Sequence, residues 1–284
     1  TTAGGWVVTN DEVHKLCQMY PDKFYGFASV DPHRADALEV LEKAFHKQGL
    51  RGLKLHPAKQ KFDPNADFME PIYALCEKEN KPIIFQMPMN GEVEPHDITR
   101  YIDPMCDVDG FASKVNVAAL ANGETPYHYP CTPKGIIRLL EASGVALSGK
   151  TVCVIGRSNI VGRPIARMME QADATVTLCH SKTPQHELYR YVGSSDIIVS
   201  ATGCRNTLTF NAMEHFGEFV HLGRQVFVDV GMNRDENGKL CGDIDPMIYE
   251  YCNAYTPVPG GIGPMTVAML MENTVEFYER MGSV

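Results

Sequence analysis

Apolar and polar positions alternate in two blocks along the chain, and each block predicts strands joined by helices. In the first block, FYGFASV, RGLKLHP and PIIFQ are short apolar runs typical of strands, with residues at helical spacing between them. A βαβαβ succession favours parallel strands with right-handed crossovers. The pattern therefore predicts an N-terminal α/β lobe, and one further short helix is plausible over residues 94–103.

The second block repeats this alternation over a longer stretch. KTVCVIG, ATVTLCH, SDIIVSATG and RQVFVDVG are predicted strands whose spacing leaves room for one helix between neighbours. This is the pattern of a doubly wound parallel sheet. The predicted fold class is α/β, with an N-terminal lobe over residues 1–130 and a Rossmann-type domain over residues 131–263. The amphipathic closing helix, residues 264–284, is expected to complete the N-terminal lobe.

Composition narrows the possible partners of this chain. The 284 residues are 44% hydrophobic and 21% charged, as in a soluble globular protein. A formal charge of -9, with no basic patch, disfavours nucleic acid and favours a small-molecule ligand. No apolar run approaches the roughly 20 residues of a membrane span. Nine cysteines without a CxxC pair are typical of reduced thiols, so we expect a cytoplasmic protein without a metal site.

The segment VCVIGRSNIVGRPIARMM, residues 152–169, predicts a phosphate-binding loop. Gly156 ends a strand where a side chain would block close approach, and Gly162 lets the following helix pack near the loop. The free N–H groups and the dipole at the start of that helix favour a phosphate. The spacing differs from GxGxxG, so an ordinary turn between strand and helix is an open alternative.

The next predicted strand ends in LCHSKT, residues 178–183, where a dinucleotide fold meets the adenosine ribose. An acidic residue there would bind the ribose 2′-hydroxyl, whereas this chain has Ser181, with Arg157 available from the first loop. A serine and an arginine suit a 2′-phosphate, so NADP is favoured over NAD. Ser181 could also act as a helix N-cap.

Five or more motifs resemble the methylenetetrahydrofolate dehydrogenase/cyclohydrolase family. They include FQMPMN, DVDGF, PCTPKGI, GRSNIVGRP, FVDVGMN with GDID, and TPVPGGIGPMTVAMLMENT. The motifs stand in the order of that family, with almost no gaps, over about residues 84–284. The resemblance implies an NADP-dependent enzyme of one-carbon metabolism that acts on a tetrahydrofolate substrate.

The resemblance also implies site residues. The implied NADP-binding residues are Gly156, Arg157, Ser158, Ser181 and Met232. The implied folate-binding residues are Gln86, Asp109, Pro259, Gly260, Gly261, Ile262 and Gly263. From the residues alone, the DxDG segment around Asp109 could equally be an Asx turn or a metal clip, and PVPGGIGP could be a plain connection. The family also implies a homodimer formed through the cofactor domain.

The family's catalytic lysine stands four residues after a tyrosine, and this pair is missing. None of the twelve tyrosines is followed by a lysine at that spacing. We therefore expect a protein that resembles an NADP-dependent methylenetetrahydrofolate dehydrogenase/cyclohydrolase but has impaired or no turnover, with its catalytic residues unassigned. The alternative is a non-catalytic nucleotide-binding scaffold. Lys54 is a candidate substitute for the missing lysine.

The first 86 residues resemble a different family, the metal-dependent amidohydrolases and related decarboxylases, which are (β/α)8 barrels. That resemblance rests on GWVVTNDEVHKLCQMYPDKFYGFASVDP, GLRGLKLHPAKQKFDP and PIYALCEKENKPIIF. The HxH pair of those enzymes is absent, Gln86 stands where they have a histidine, and His56 is the one plausible pocket residue. Hydrolase or decarboxylase activity is therefore the least favoured alternative. The two resemblances together predict a chimera of two families, joined near residues 83–87.

Overall fold

The computed structural model describes residues 8–85, 105–110, 115–217 and 223–281. The chain divides into two compact units, Thr1–Ile98 and Thr99–Val284. The predicted boundary at residue 130 lies inside the second unit, and the assignment of the closing helix to the N-terminal lobe stays a prediction. The short helix predicted over residues 94–103 lies outside the described residues.

The first unit contains the predicted parallel strands. They form one sheet in the order β1-β2-β3, with β1 at Phe27–Ala28, β2 at Gly52–Leu55 and β3 at Ile83–Phe85. The helices described here are α1 (Asn10–Met19), α2 (Ala37–His46), α3 (Pro57–Gln60) and α4 (Glu70–Lys78), with a 3-10 helix at Asp67–Met69.

One face of this sheet packs on helices α2 and α4. Leu53 and Leu55 of β2 are fully buried there, together with Leu41 of α2 and Ile72 of α4. Because side chains alternate along a strand, Lys54 lies on the opposite face, and it is exposed. The alternation in RGLKLHP therefore reflects two buried leucines with an exposed lysine between them.

The second unit contains a five-stranded, all-parallel sheet in the order β10-β7-β6-β4-β5. Its strands are β4 (Thr151–Ile155), β5 (Thr175–Cys179), β6 (Ile197–Ser200), β7 (Val226–Asp229) and β10 (Ala254–Tyr255), and a hairpin pairs β8 (Asn233–Arg234) with β9 (Leu240–Cys241). Its described helices are α5 (Asn116–Ala121), α6 (Cys131–Ala142), α7 (Gly162–Gln171), α8 (Gln185–Ser194), α9 (Phe210–His215) and α10 (Ile262–Met281), with a 3-10 helix at Pro246–Glu250.

Helices cover both faces of this sheet, so its strands have continuous apolar sequences. Val152 and Val154 of β4 pack in the core beneath α6 and α7, whereas Cys153 and Ile155 pack in the core beneath α8. Burial on both faces is what a parallel sheet requires. The predicted α/β class with a doubly wound, Rossmann-type domain is confirmed.

The closing helix α10 packs along α6 and begins earlier than predicted. It starts at Ile262 rather than 264, which puts Pro264 in the first turn, where a missing N–H costs no hydrogen bond. Lys134 of α6 ties the two helices together, with its Nζ 3.0 Å from Glu272 Oε1 and 2.9 Å from Glu276 Oε1. The hydrogen bond from Lys134 lowers the pKa of Glu272 below its ordinary value.

Within the described ranges, none of the helices combines the length and the apolar character that crossing a lipid bilayer requires.

Replacing Lys134 with methionine is expected to destabilise the second unit in a pH-dependent way. Because the pKa of Glu272 is lower in the folded protein, its ion pair with Lys134 stabilises the fold fully above 4.5, the pKa of the unfolded chain. This stabilisation is lost as the pH falls through the pKa of the folded protein. Lys134→Met should therefore lower the free energy of unfolding by about 1 kcal/mol at pH 7 and by less below pH 4.5. Urea denaturation at pH 7 and pH 4 measures both values.

The control for this experiment is Arg205→Met, which removes an ion pair to Glu236, a side chain that is 89% exposed. We expect no measurable change from that substitution. Equal losses for Lys134→Met at the two pH values would contradict the electrostatic explanation.

Candidate functional site

The order of the five strands reverses at β4, and this places a crevice at the carboxyl edge of the sheet. The chain passes from β4 to β5 on one side and then to β6 on the other side. Ligands of open α/β sheets bind at such a switch point, outside the carboxyl ends of the strands. The loops that follow β4 and β6 are residues 156–161 and 201–203, so these loops line the candidate site.

Gly156 and Gly162 are glycines because backbone groups approach them closely. A Cβ at residue 162, the first residue of α7, would overlap with the carbonyl group of Gly156. Gly156 has a φ of +115°, and a Cβ there would overlap with the carbonyl oxygen of Ala201. The loop after β4 therefore lies between the start of α7 and the loop after β6. The predicted reason for both glycines, close approach, agrees with this geometry.

Ser158 has a local structural role in the same loop. Its Oγ accepts hydrogen bonds from the backbone N–H groups of Val161, at 3.2 Å, and Gly162, at 3.4 Å. The N–H of Arg163 donates to the carbonyl oxygen of Ser158 at 3.0 Å, and Pro164 has no N–H. The prediction of free N–H groups at the start of α7 was therefore wrong for residues 161–163. Arg157, one residue earlier, is exposed. The predicted contacts of Arg157 and Ser158 with a cofactor stay predictions.

Ser181 lies in a turn that begins beside the loop after β4, residues 156–161, which is the predicted phosphate loop. The N–H of Gly156 donates to the carbonyl oxygen of Cys179 at 2.9 Å, so the loops that carry Arg157 and Ser181 start side by side. The turn is closed by His180, whose N–H donates to Thr183 Oγ1 at 3.0 Å. Ser181 is exposed in this turn. It is not an N-cap, because α8 begins at Gln185 after Pro184.

Two buried aspartates, to which sequence reasoning assigned no role, shape the loops at this edge. Asp243 is fully buried, and its Oδ2 accepts from Thr202 N at 2.7 Å, Thr202 Oγ1 at 2.9 Å, Gly203 N at 3.2 Å and Ser200 Oγ at 3.2 Å. Its Oδ1 accepts from Asn233 Nδ2 at 2.8 Å. One carboxylate therefore fixes the whole loop after β6.

Asp229, the last residue of β7, also fixes nearby backbone by accepting hydrogen bonds. It accepts from the N–H groups of Gly231 at 2.8 Å, Asp243 at 2.9 Å and Ile244 at 3.0 Å, and from the hydroxyl of Tyr249 at 2.7 Å. Burial raises the pKa of Asp229, although these hydrogen bonds act in the opposite direction. An acidic residue that ends an apolar strand was the available sequence signal.

The glycines of the DVG and GD motifs are explained by these two carboxylates. A Cβ at Gly242 would overlap with the carboxylate of Asp229, and a Cβ at Gly231 would overlap with Asp243. The backbone held in this way leads directly to Met232, whose side chain is 57% exposed. Met232 thus follows β7 at the same edge as the phosphate loop, and its contact with a nicotinamide stays a prediction.

The predicted folate-binding residues that the structure describes adjoin helices α6 and α10. The carbonyl oxygen of Asp109 accepts from the N–H of Cys131, the first residue of α6, at 3.2 Å. Thr132 Oγ1 and Thr266 Oγ1 are 3.0 Å apart, so the starts of the two helices are joined. Gln86 lies outside the described residues.

The loop before α10 contains the other predicted folate-binding residues. Pro259 follows a cis peptide bond, Gly260 has a φ of +108°, and the N–H of Gly261 donates to the carbonyl oxygen of Pro257 at 2.8 Å. Ile262 and Gly263 were expected in this loop but form the first turn of α10, because the Ile262 side chain is buried in the core. The folate-binding roles of these five residues stay predictions.

His56 in the first unit has a local structural role. Its Nδ1 accepts from the N–H of Lys59 at 3.4 Å, which caps α3, and burial lowers its pKa. Across the described ranges, no group of three or more His, Cys, Asp or Glu side chains is arranged to hold a metal ion.

Comparison with protein families gives two matches along the chain. Residues 130–282 match the model described as "Tetrahydrofolate dehydrogenase/cyclohydrolase, NAD(P)-binding domain". Residues 2–116 match the model described as "Amidohydrolase". The first match lies on the five-stranded sheet and α10. It supports the predicted nicotinamide cofactor for the domain that holds the phosphate loop.

A curated relative resembles this chain over most of its length. The Bifunctional protein FolD of Burkholderia cenocepacia (strain HI2424) is 47% identical over 199 residues, which are 70% of this chain and 66% of that protein. The chain thus spans just under two thirds of that relative's length.

Two solved structures resemble the chain over nearly its whole length. The bifunctional enzyme FolD-methylenetetrahydrofolate dehydrogenase/cyclohydrolase from Campylobacter jejuni has a TM-score of 0.67 at 35% identity and covers 95% of both chains. The methylenetetrahydrofolate dehydrogenase-cyclohydrolase (FolD) of Trypanosoma brucei, complexed with NADP cofactor and inhibitor, has a TM-score of 0.69 at 30% identity. That match covers 97% of this chain and 93% of that one.

The substitution Gly162→Ala is expected to disrupt the phosphate loop. The added methyl group would overlap with the carbonyl group of Gly156, so the start of α7 must move away from the sheet. We expect a loss of about 1–3 kcal/mol in the free energy of unfolding, measured by urea denaturation. The control is Gly223→Ala, because a Cβ there meets nothing within 4 Å. Equal stability of Gly162→Ala and the wild type would contradict the close approach.

Proposed function

Because the chain belongs to the tetrahydrofolate dehydrogenase/cyclohydrolase family, we propose that it binds NADP at the carboxyl edge of the five-stranded sheet and a folate-type ligand beside Asp109. One observation carries the cofactor half of this proposal. The two glycines of the phosphate loop, Gly156 and Gly162, bring the start of α7 to the switch point of the sheet. Ser158 occupies the N–H groups of Val161 and Gly162, so the positive end of the helix dipole at the carboxyl end of β4 is what favours a pyrophosphate there.

The preference for NADP over NAD rests on Arg157 and Ser181. Their loops start side by side, and both residues are exposed. A guanidinium group and a hydroxyl can bind the three oxygens of a 2′-phosphate, whereas no carboxylate stands at position 181 to bind a ribose hydroxyl. The NADP complex of the Trypanosoma brucei relative supports this choice of cofactor.

The proposed folate half consists of Asp109 and residues 259–263, and the role of Gln86, which lies outside the described residues, stays a prediction. A carboxylate at Asp109 would accept hydrogen bonds from amino and ring N–H groups of a pterin. Bound NADP would supply a hydride acceptor for the methylene carbon of the folate. What this chain's own residues would do is orient the two ligands, with Asp109 holding the pterin and Met232 next to the nicotinamide.

Turnover is proposed to be impaired or absent, because the Tyr-x-x-x-Lys pair of the family is missing. That lysine supports the conversion of the folate in the family, and the loss of a proton-transferring group typically costs about 10²–10⁴-fold in rate. A nucleotide-binding scaffold without turnover is the second candidate, and the same missing pair favours it. Lys54, exposed on β2, is the proposed substitute to be tested.

The N-terminal segment is proposed to be a barrel-derived part joined to the folate-enzyme part near residues 83–87. The amidohydrolase match over residues 2–116 supports this origin. Hydrolase activity does not follow from it, since fold and function separate readily and the HxH pair is missing from the sequence. A homodimer through the cofactor domain and a cytoplasmic location stay predictions.

Binding of reduced cofactors tests the NADP proposal. We expect the wild type to bind NADPH at least about tenfold more tightly than NADH, a difference of about 1.4 kcal/mol. Arg157→Ala should remove most of this preference by weakening the binding of NADPH alone, because the guanidinium would bind the phosphate that NADH lacks. Fluorescence titration gives the four dissociation constants, and Arg138→Ala on α6 is the control. Equal affinities of the wild type for the two cofactors would overturn the proposal.

A turnover assay tests the catalytic part separately. With methylenetetrahydrofolate and NADP, absorbance at the reduced-nicotinamide band should rise at least about 10²-fold more slowly than for the Burkholderia cenocepacia relative assayed in parallel. A comparable rate that Lys54→Met abolishes would overturn the impaired-turnover proposal and identify Lys54 as the replacement. A comparable rate that Lys54→Met leaves unchanged would overturn both the impaired-turnover proposal and the proposed role of Lys54.

A further inference from the structure

Asn273 is a fully buried polar residue in the middle of the closing helix α10. A buried amide lowers stability unless its hydrogen bonds are made. Here Nδ2 donates to the carbonyl oxygens of Val108, at 2.8 Å, and Tyr129, at 3.0 Å, and Oδ1 accepts from Lys134 Nζ at 2.8 Å. Both amide hydrogens are therefore used, and they join α10 to two segments of irregular backbone.

The segment held by Asn273 contains Asp109. The carbonyl oxygen of Val108, in the peptide group that precedes Asp109, accepts from Asn273 Nδ2 and also lies 3.3 Å from the thiol of Cys131. The carbonyl oxygen of Asp109 itself accepts from Cys131 N at 3.2 Å. The peptide groups on both sides of the Asp109 Cα are thus fixed, and the direction of its Cα–Cβ bond is fixed with them.

The surroundings leave this segment little room for another conformation. Gly110 has a φ of +75°, and a Cβ there would lie 2.6 Å from the backbone nitrogen of Pro130. At the other end, Asn116 Nδ2 donates to the carboxylate of the buried Asp107 at 3.1 Å. The segment from Asp107 to Gly110 is therefore held at its start, its middle and its end, and α10 holds the middle.

We propose that Asn273 is a positioning residue for the folate site, which holds the backbone around Asp109 so that its carboxylate can accept hydrogen bonds from a pterin ring. The inference rests on the proposed function, since it assigns Asp109 to a folate-type ligand. Asparagine suits the place because it combines two donors with an acceptor for Lys134. Aspartate would put a carboxylate against the carbonyl oxygens of Val108 and Tyr129, and leucine would leave both oxygens without this donor.

The test compares Asn273→Leu with Lys134→Met. Lys134→Met removes the hydrogen bond to Asn273 Oδ1 and loosens the attachment of α10 to α6, but it leaves the two Nδ2 hydrogen bonds in place, so it is the control for a merely structural role. With folic acid as the probe, we expect the dissociation constant to rise at least about tenfold in Asn273→Leu and less than about twofold in Lys134→Met. The dissociation constant for NADPH should change less than about twofold in both.

Amide hydrogen exchange without any ligand gives a second readout. In Asn273→Leu, exchange over residues 105–110 should accelerate at least about tenfold, while β4 keeps its wild-type protection. Asn273→Asp should resemble Asn273→Leu, because it also lacks the two donors.

Three results would overturn the inference. Unchanged exchange over residues 105–110 in Asn273→Leu would show that Asn273 does not hold this segment. Equal affinity of Asn273→Leu and the wild type for folic acid would show that the hydrogen bonds of Asn273 do not affect ligand binding, and the proposed function would stand. If the wild type binds NADPH but no folic acid, the folate half of the proposed function fails and the positioning role fails with it.

Discussion

The contact between the backbones of Gly156 and Gly162 is the constraint on which the candidate cofactor site depends. It lets α7 begin directly against the end of β4, and the buried side chains Ile165 and Met169 then fasten that helix to one face of the sheet. The loop after β6 reaches the same place, because Gly156 has no side chain to exclude Ala201. The end of β4, the start of α7 and the loop after β6 therefore meet at one point. The carboxylates of Asp229 and Asp243 accept hydrogen bonds from the backbone of the neighbouring loops and fix their positions.

The fold could be predicted further than the site, for a physical reason. Strands buried on both faces leave continuous apolar runs such as Val152–Ile155, and these are local in sequence. The partners of Asn273 and Asp243 are far away in sequence, so the roles of these two residues could not be assigned from local patterns. Ile262 was expected in a loop because of its glycine and proline neighbours, but burial of its side chain extends the helix over it. The alternative N-cap role of Ser181 failed because Pro184 stands before α8.

The two kinds of similarity extend over different lengths of the chain. Sequence similarity to the curated relative covers 70% of the chain, whereas the structural match to the Campylobacter jejuni enzyme covers 95%. A βαβαβ unit needs apolar strands and amphipathic helices, and many sequences meet that requirement. Leu53 and Leu55 on the buried face of β2 satisfy it, while Lys54 between them is exposed and takes no part in that packing. The architecture of this unit therefore follows from its apolar pattern, whichever residues stand at its exposed positions.

The hydrogen bond from Asn273 to Val108 has a consequence for how the protein is made. Its two partners are 165 residues apart, so at ribosomal rates of about 5–20 residues per second the donor emerges roughly 10–30 s after the acceptor. The strands of the nucleotide-binding sheet are synthesised before α10, since β10 precedes it. The backbone around Asp109 gains this support only after α10 has left the ribosome. The loops of the candidate cofactor site and the backbone around Asp109 therefore gain their final contacts at different times during translation, and the backbone around Asp109 gains its contacts last.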